Sequence, residues 1–180
     1  MEKAMDKGAL RKMVRARFSA VSMEERVERS ARMSAELDAC LSASGARVVA
    51  LFSPLPDEPQ IWKFVEYLSG RCLVALPRVE GDVMRFYRYG GAGMEKGAFG
   101  IMEPSDAELV EPGDIDVIVV PGVAFSLSGV RTGRGKGYYD KYMSQPGFRA
   151  LKIGVCFKEQ IVDSLLPDPH DVPVDTVVCG

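Results

Sequence analysis

The densest chemistry in the chain lies in twelve residues, Gly129-Val-Arg-Thr-Gly-Arg-Gly-Lys-Gly-Tyr-Tyr-Asp140. Four are glycines (129, 133, 135 and 137) and three are cations (Arg131, Arg134 and Lys136). Glycines let a backbone approach a ligand and turn its N–H groups inward as an anion nest. Arginine brings a planar fork for phosphate oxygens, and lysine brings a mobile point charge. Asp140 follows within one turn of an expected helix near Tyr138. A carboxylate beside bound phosphates suits Mg²⁺, which takes one or two carboxylates and completes its shell with phosphate oxygen and water. The pattern is not a Walker A loop. Val130 stands where that motif has its first glycine, and Gly137 follows Lys136 in place of Ser or Thr.

Weaker candidates lie elsewhere. Lys7 and Arg11 stand four residues apart, on one face if their segment is helical. Asp57 and Glu58 follow a proline-rich turn and could receive the N–H groups of a heterocycle. His170 is the single histidine, which argues against multi-histidine metal sites. Asp175, just before a late apolar run, is a second candidate carboxylate. Gly90, Gly91, Gly93 and Gly97 read as a mobile connection, with residues 90–98 as a candidate lid.

These groups need a frame. Leu10, Met13, Val14 and Phe18 recur at helical spacing. Ser22 and Glu25 form a capping-box pattern that opens a second helix. Its apolar stripe reads as Val27, Ala31, Leu37 and Leu41, ending at Gly45. Residues 47–52, 72–76, 84–89, 115–120, 151–156 and 176–179 read as strands, the second closed by Pro77. A helix is expected from Pro59 to Leu68, and an extended loop over 90–113. Strands with little alternation, separated by helices, predict an α/β fold: an open, mostly parallel sheet with helices on both faces. Such sheets place ligands at the carboxyl ends of strands. The 115–120 run delivers the chain to Pro121-Gly122 and then to the glycine loop.

The chain has 180 residues, 47% hydrophobic and 27% charged, which suits one domain over 1–180. The net charge of −2 sets it apart from a typical nucleic-acid-coating protein. The four cysteines form no C-x-x-C pair and read as small core residues in a reducing compartment. No apolar run is long enough to span a membrane, and residues 1–7 have no apolar signal core. A cytoplasmic protein with no membrane or nucleic-acid partner is expected.

Taken together, the chain resembles the 5-formyltetrahydrofolate cyclo-ligase family from about Lys7 to Cys179. The most specific match is Pro121-Gly-Val-Ala-Phe125 with the 129–140 loop. Lys7-x-x-Leu-Arg11, Ser22-Met-Glu-Glu-Arg26, Asp57-Glu58, Leu76-Pro-Arg78, Phe99-Gly100, Glu103-Pro104 and His170-Asp171-x-x-x-Asp175 support it. The resemblance implies a fold like that of ribose-5-phosphate isomerases and CoA transferases. It also implies ATP- and Mg²⁺-dependent closure of 5-formyltetrahydrofolate to 5,10-methenyltetrahydrofolate. A monomer is expected. By that resemblance, Lys7, Arg11, Gly133, Arg134, Gly135, Lys136, Gly137 and Tyr138 bind ATP. Arg134, Lys136 and Tyr139 are catalytic. Ser53, Leu55, Glu58, Arg134 and Tyr139 meet the folate, and Asp140 and Asp175 hold Mg²⁺. Ser126 and Thr132 depart from the family's usual Asp and Leu and are expected to change loop packing. Two other readings compete. One is a nucleic-acid module using Arg131, Arg134 and Lys136. The other is a sugar-phosphate isomerase with Glu103 or Asp140 as base.

Overall fold

The computed structural model describes residues 6–90, 93–163 and 165–180. Two helices lead, α1 (Lys7–Ser19) and α2 (Met23–Ser44). Asp6 caps α1 by accepting the Gly8 and Ala9 N–H groups, and Ser22 caps α2 by accepting that of Glu25. The reciprocal half of the expected capping box is not made. The Glu25 carboxylate turns instead to Arg29, which also holds Glu159 at 2.8 Å. The buried stripe of α2 is Ser30, Met33, Leu37 and Leu41, with Arg29 beside it; the expected Val27 and Ala31 are exposed. Gly45 closes the helix in the left-handed region at φ 66°.

Then come β1 (Val48–Ala50), α3 (Trp62–Ser69), β2 (Leu73–Glu80), β3 (Val83–Arg88), β4 (Met94–Lys96), β5 (Met102–Pro104) and β6 (Leu109–Val110). The chain continues through β7 (Val117–Val120), β8 (Ala124–Phe125), β9 (Arg131–Thr132), α4 (Tyr138–Met143), β10 (Leu151–Cys156) and β11 (Thr176–Cys179). Seven strands form one sheet in the order β11-β10-β7-β1-β2-β3-β6. Its first five members run parallel, and β3 and β6 join antiparallel at one edge. The expected α/β fold is therefore present.

Alternate residues of β7 face opposite sides. Val117 and Val119 pack with Met33, Leu37, Phe64 and Val65 of α2 and α3. Ile118 and Val120 pack with Tyr142 and Met143 of α4 and with Phe86 and Phe125. Helices thus cover both faces, as strands apolar on both sides require. The second face is built from small strand residues such as Ala50, Ala75 and Gly154. A Cβ on Gly154 would stand 2.5 Å from the Phe125 ring, so glycine lets that ring lie on the sheet.

Three expected boundaries move. Pro77 does not end its strand but pairs with Phe86 of β3. Beyond Ala75, β1 offers no partner, so the missing N–H costs no ladder bond. Pro59 lies outside α3, because residues 55–60 are held in a turn. Gln60 Nε2 donates to the Leu55 and Glu58 carbonyls at 2.7 Å each. The 90–113 region is less irregular than expected, since β4 pairs with β5 and β6 joins the sheet. Gly91 lies outside the described residues.

Candidate functional site

A cavity of about 480 Å³ opens where β1 and β7 end. Phe52 and Ser53 line it just after β1, and Pro121 and Gly122 line it just after β7. That is where parallel α/β sheets place ligands. α1 supplies Lys7 and Arg11, the turn after β1 supplies Leu55 and Glu58, and the glycine loop supplies Gly133 to Asp140. Every predicted site residue except Asp175 lines this cavity.

The glycine loop owes its path to backbone freedom. Gly135 and Gly137 sit at φ 104° and 66°, a region that L side chains rarely adopt. Gly137 is the residue before α4, which is only six residues long. α1 is pinned to the loop by Arg11 Nε, which donates to the Gly133 carbonyl at 2.8 Å. Ser126 holds the hairpin ahead of the loop: its Oγ accepts the Val130 N–H at 3.0 Å. Serine thereby provides the backbone acceptor that an aspartate would offer there. Thr132 is buried in β9, opposite Ala124, and its carbonyl accepts the Val123 N–H.

Five cations (Lys7, Arg11, Arg131, Arg134 and Lys136) and five acids (Glu58, Glu103, Asp140, Asp168 and Asp171) line the cavity, so it carries no net formal charge. Four of the cations are engaged. Lys7 bridges Asp168 and Asp171 at 2.6 Å each. Arg131 holds Asp140, Arg134 holds Asp57 and Glu58, and Arg11 holds the loop carbonyl. Lys136 makes no ion pair or hydrogen bond among the described residues, which leaves its ammonium for an incoming anion.

Apolar side chains line the same cavity: Val79, Met84, Phe99 and Ile101, with Tyr138 and Tyr139. Burial pushes the Tyr139 phenol well above its ordinary range, so it remains a neutral O–H donor. Burial likewise raises Glu58, although the Leu55 N–H and Arg134 pull the other way. Burial also raises Glu103, whose Oε1 accepts the Val79 N–H at 3.2 Å. Gly97 makes room for that carboxylate: a Cβ there would stand 1.8 Å from Glu103 Oε2.

A family model for 5-formyltetrahydrofolate cyclo-ligases matches residues 3–180. The chain belongs to this family of enzymes. A 5-formyltetrahydrofolate cyclo-ligase of Mycoplasma pneumoniae is 30% identical, over 97% of this chain and 98% of its own. A mouse protein of the same name is 27% identical, over 96% and 92%. The NMR structure of Aquifex aeolicus 5,10-methenyltetrahydrofolate synthetase superposes with a TM-score of 0.86 at 38% identity, covering 97% of this chain and 90% of that one.

Asp175 departs from the expected site. It stands at the amino end of β11, while the cavity opens at carboxyl ends. Its Oδ2 accepts the Lys152 N–H at 2.7 Å and the Lys152 ammonium at 3.0 Å. Asp171, four residues earlier, lines the cavity, as does Asp168. Arg131 and Asp171 were not among the predicted site residues. Arg131 was visible as a loop cation, but nothing local marked it as the partner of Asp140.

Proposed function

We propose that the protein converts 5-formyltetrahydrofolate to 5,10-methenyltetrahydrofolate, with ATP giving ADP and phosphate. The observation that carries this is one cavity lined by two unlike sets of residues. One set is basic side chains and loop glycines; the other is apolar side chains and the buried carboxylate of Glu58. A triphosphate suits the first, and a flat, N–H-rich pterin suits the second.

In this reading Lys7, Arg11 and Lys136, with Gly133, Gly135, Gly137 and Tyr138, hold the triphosphate. Arg134 attends the transferring phosphoryl group. Glu58 accepts the pterin amino and ring N–H groups. Its own position is set by the Leu55 N–H, which donates to Oε2 at 2.9 Å. Ser53 Oγ is engaged with the Met102 carbonyl at 2.7 Å, which ties the folate-side turn to β5. Tyr139 borders the formyl group.

The chemistry follows from the leaving group. An amide-like formyl oxygen leaves poorly, so it first takes the γ-phosphoryl group while Arg134 and Lys136 stabilise the charge. N10 then bonds to the formyl carbon, its proton is lost, and the C–O bond breaks to release phosphate. Positioning does most of the work, and no covalent bond to the protein is needed.

Mg²⁺ fits at one residue of the expected pair. Asp140 Oδ1 is taken by Arg131 and by the Val172 N–H, while Oδ2 makes no hydrogen bond among the described residues. No group of three or more metal-ligating His, Cys, Asp or Glu occurs among the described residues. Asp140 with phosphate oxygens matches the usual Mg²⁺ shell. Bound there, Mg²⁺ would neutralise developing phosphate charge.

The test is incubation with 5-formyltetrahydrofolate, Mg²⁺ and ATP, followed by methenyl absorbance. ATP-dependent product is expected. Its absence would remove this reading.

A further inference from the structure

The residue assigned to the phosphoryl group and the residue assigned to the pterin are bonded to each other. Arg134 Nε and Nη2 donate to Glu58 Oε1 at 3.3 and 3.1 Å. The other oxygen of Glu58 already takes the Leu55 N–H. Both carboxylate oxygens are therefore engaged before any substrate arrives. Asp57 holds the same guanidinium as a two-point fork, with Nη2 to Oδ1 at 2.6 Å and Nη1 to Oδ2 at 3.2 Å. Asp57 does not line the main cavity. It lines a second one, of about 230 Å³, on whose wall Arg134 also stands. It thus grips Arg134 from outside and keeps it against Glu58.

We propose that Asp57 is a positioning residue for Arg134, and that the Arg134–Glu58 contact it maintains couples the nucleotide and folate sites, so that the two ligands bind with positive cooperativity. The proposal rests on the roles given to Arg134 and Glu58 above. A triphosphate that draws Arg134 away frees Glu58 Oε1 for the pterin. A pterin that takes Glu58 loosens Arg134 for the phosphate. Whichever ligand binds first bears the cost of parting the pair, and the second does not. Linkage requires the two effects to be equal in size.

The experiment is calorimetric titration of 5-formyltetrahydrofolate with and without saturating Mg²⁺ and a non-hydrolysable ATP analogue, then the reverse. In the wild type each ligand should tighten the other by roughly five- to tenfold, the lower part of the usual coupling range. Asp57→Asn should bind each ligand more tightly alone and show a smaller coupling factor, and Asp57→Glu should restore part of it. A coupling factor of one in the wild type would overturn the proposal. So would an unchanged factor in a folded Asp57→Asn, and if that variant does not fold, the wild-type factor alone decides. Failure of the cyclo-ligase reading looks different: no methenyl product forms, whatever the coupling.

Discussion

Arg131 Nη2 donates to Asp140 Oδ1 at 2.8 Å, across a pair in which the arginine side chain is 3% exposed and the aspartate 19%. This contact fixes the carboxylate assigned to Mg²⁺. Removing one member of a buried pair leaves the other charged and unpaired. Arg131→Met should therefore destabilise the fold by about 3 kcal/mol, read from urea denaturation midpoints. The same variant should weaken Mg²⁺ activation by roughly tenfold or more, since outer partners orient metal-ligating carboxylates.

Asp140 and Asp175 separate the metal assignment from family resemblance. Asp140→Asn should raise the Mg²⁺ concentration for half-maximal turnover by about tenfold or more, because the metal keeps only phosphate oxygens and water there. Asp175→Asn should leave that concentration unchanged. Its loss falls on the Lys152 contact, and its cost should show in thermal stability. Measuring Mg²⁺ titrations of both variants at saturating ATP tests this. Equal effects on metal dependence would return Asp175 to the site.

The glycine loop was legible because its chemistry is local: glycines, cations and Asp140 fall within twelve residues. So was the sheet, since strands buried on both faces read as continuous apolar runs. Asp175 misled because its partner, Lys152, lies on a neighbouring parallel strand, and sequence spacing says nothing about which end of the sheet a residue occupies. The pairing of Arg131 with Asp140 and of Arg134 with Glu58 is likewise tertiary. Val27 and Ala31 misled for another reason. Polar Ser30 is on the buried stripe because its Oγ donates to the Arg26 carbonyl and accepts the Gln60 N–H. Apolar type alone picked the wrong face.

Lys7 ties α1 to the 168–171 segment, and its contribution depends on pH. Burial alone would raise Asp171, but hydrogen bonds from Lys7 and from the Asp168 N–H outweigh it and leave it below its ordinary 3.8. Burial would lower Lys7, but its two carboxylate partners leave it above its ordinary 10.5. Asp171 therefore contributes stability above about pH 3.8, lost as pH falls through its lower folded value. Lys7 contributes below about pH 10.5, lost as pH rises through its higher folded value. Melting temperature should hold a plateau between these limits. Lys7→Met should lower it by the equivalent of up to about 1 kcal/mol and flatten the acid limb. An unchanged acid limb would mean that the bridge is not formed in solution.

The order of bond making is open to one direct measurement. The enzyme is incubated with MgATP and 5-formyltetrahydrofolate carrying ¹⁸O in the formyl group, and the released phosphate is examined by mass spectrometry. If the formyl oxygen takes the phosphoryl group, one ¹⁸O appears in each phosphate, in step with methenyl formation. Methenyl product accompanied by unlabelled phosphate would contradict phosphoryl transfer to the formyl oxygen on the glycine loop.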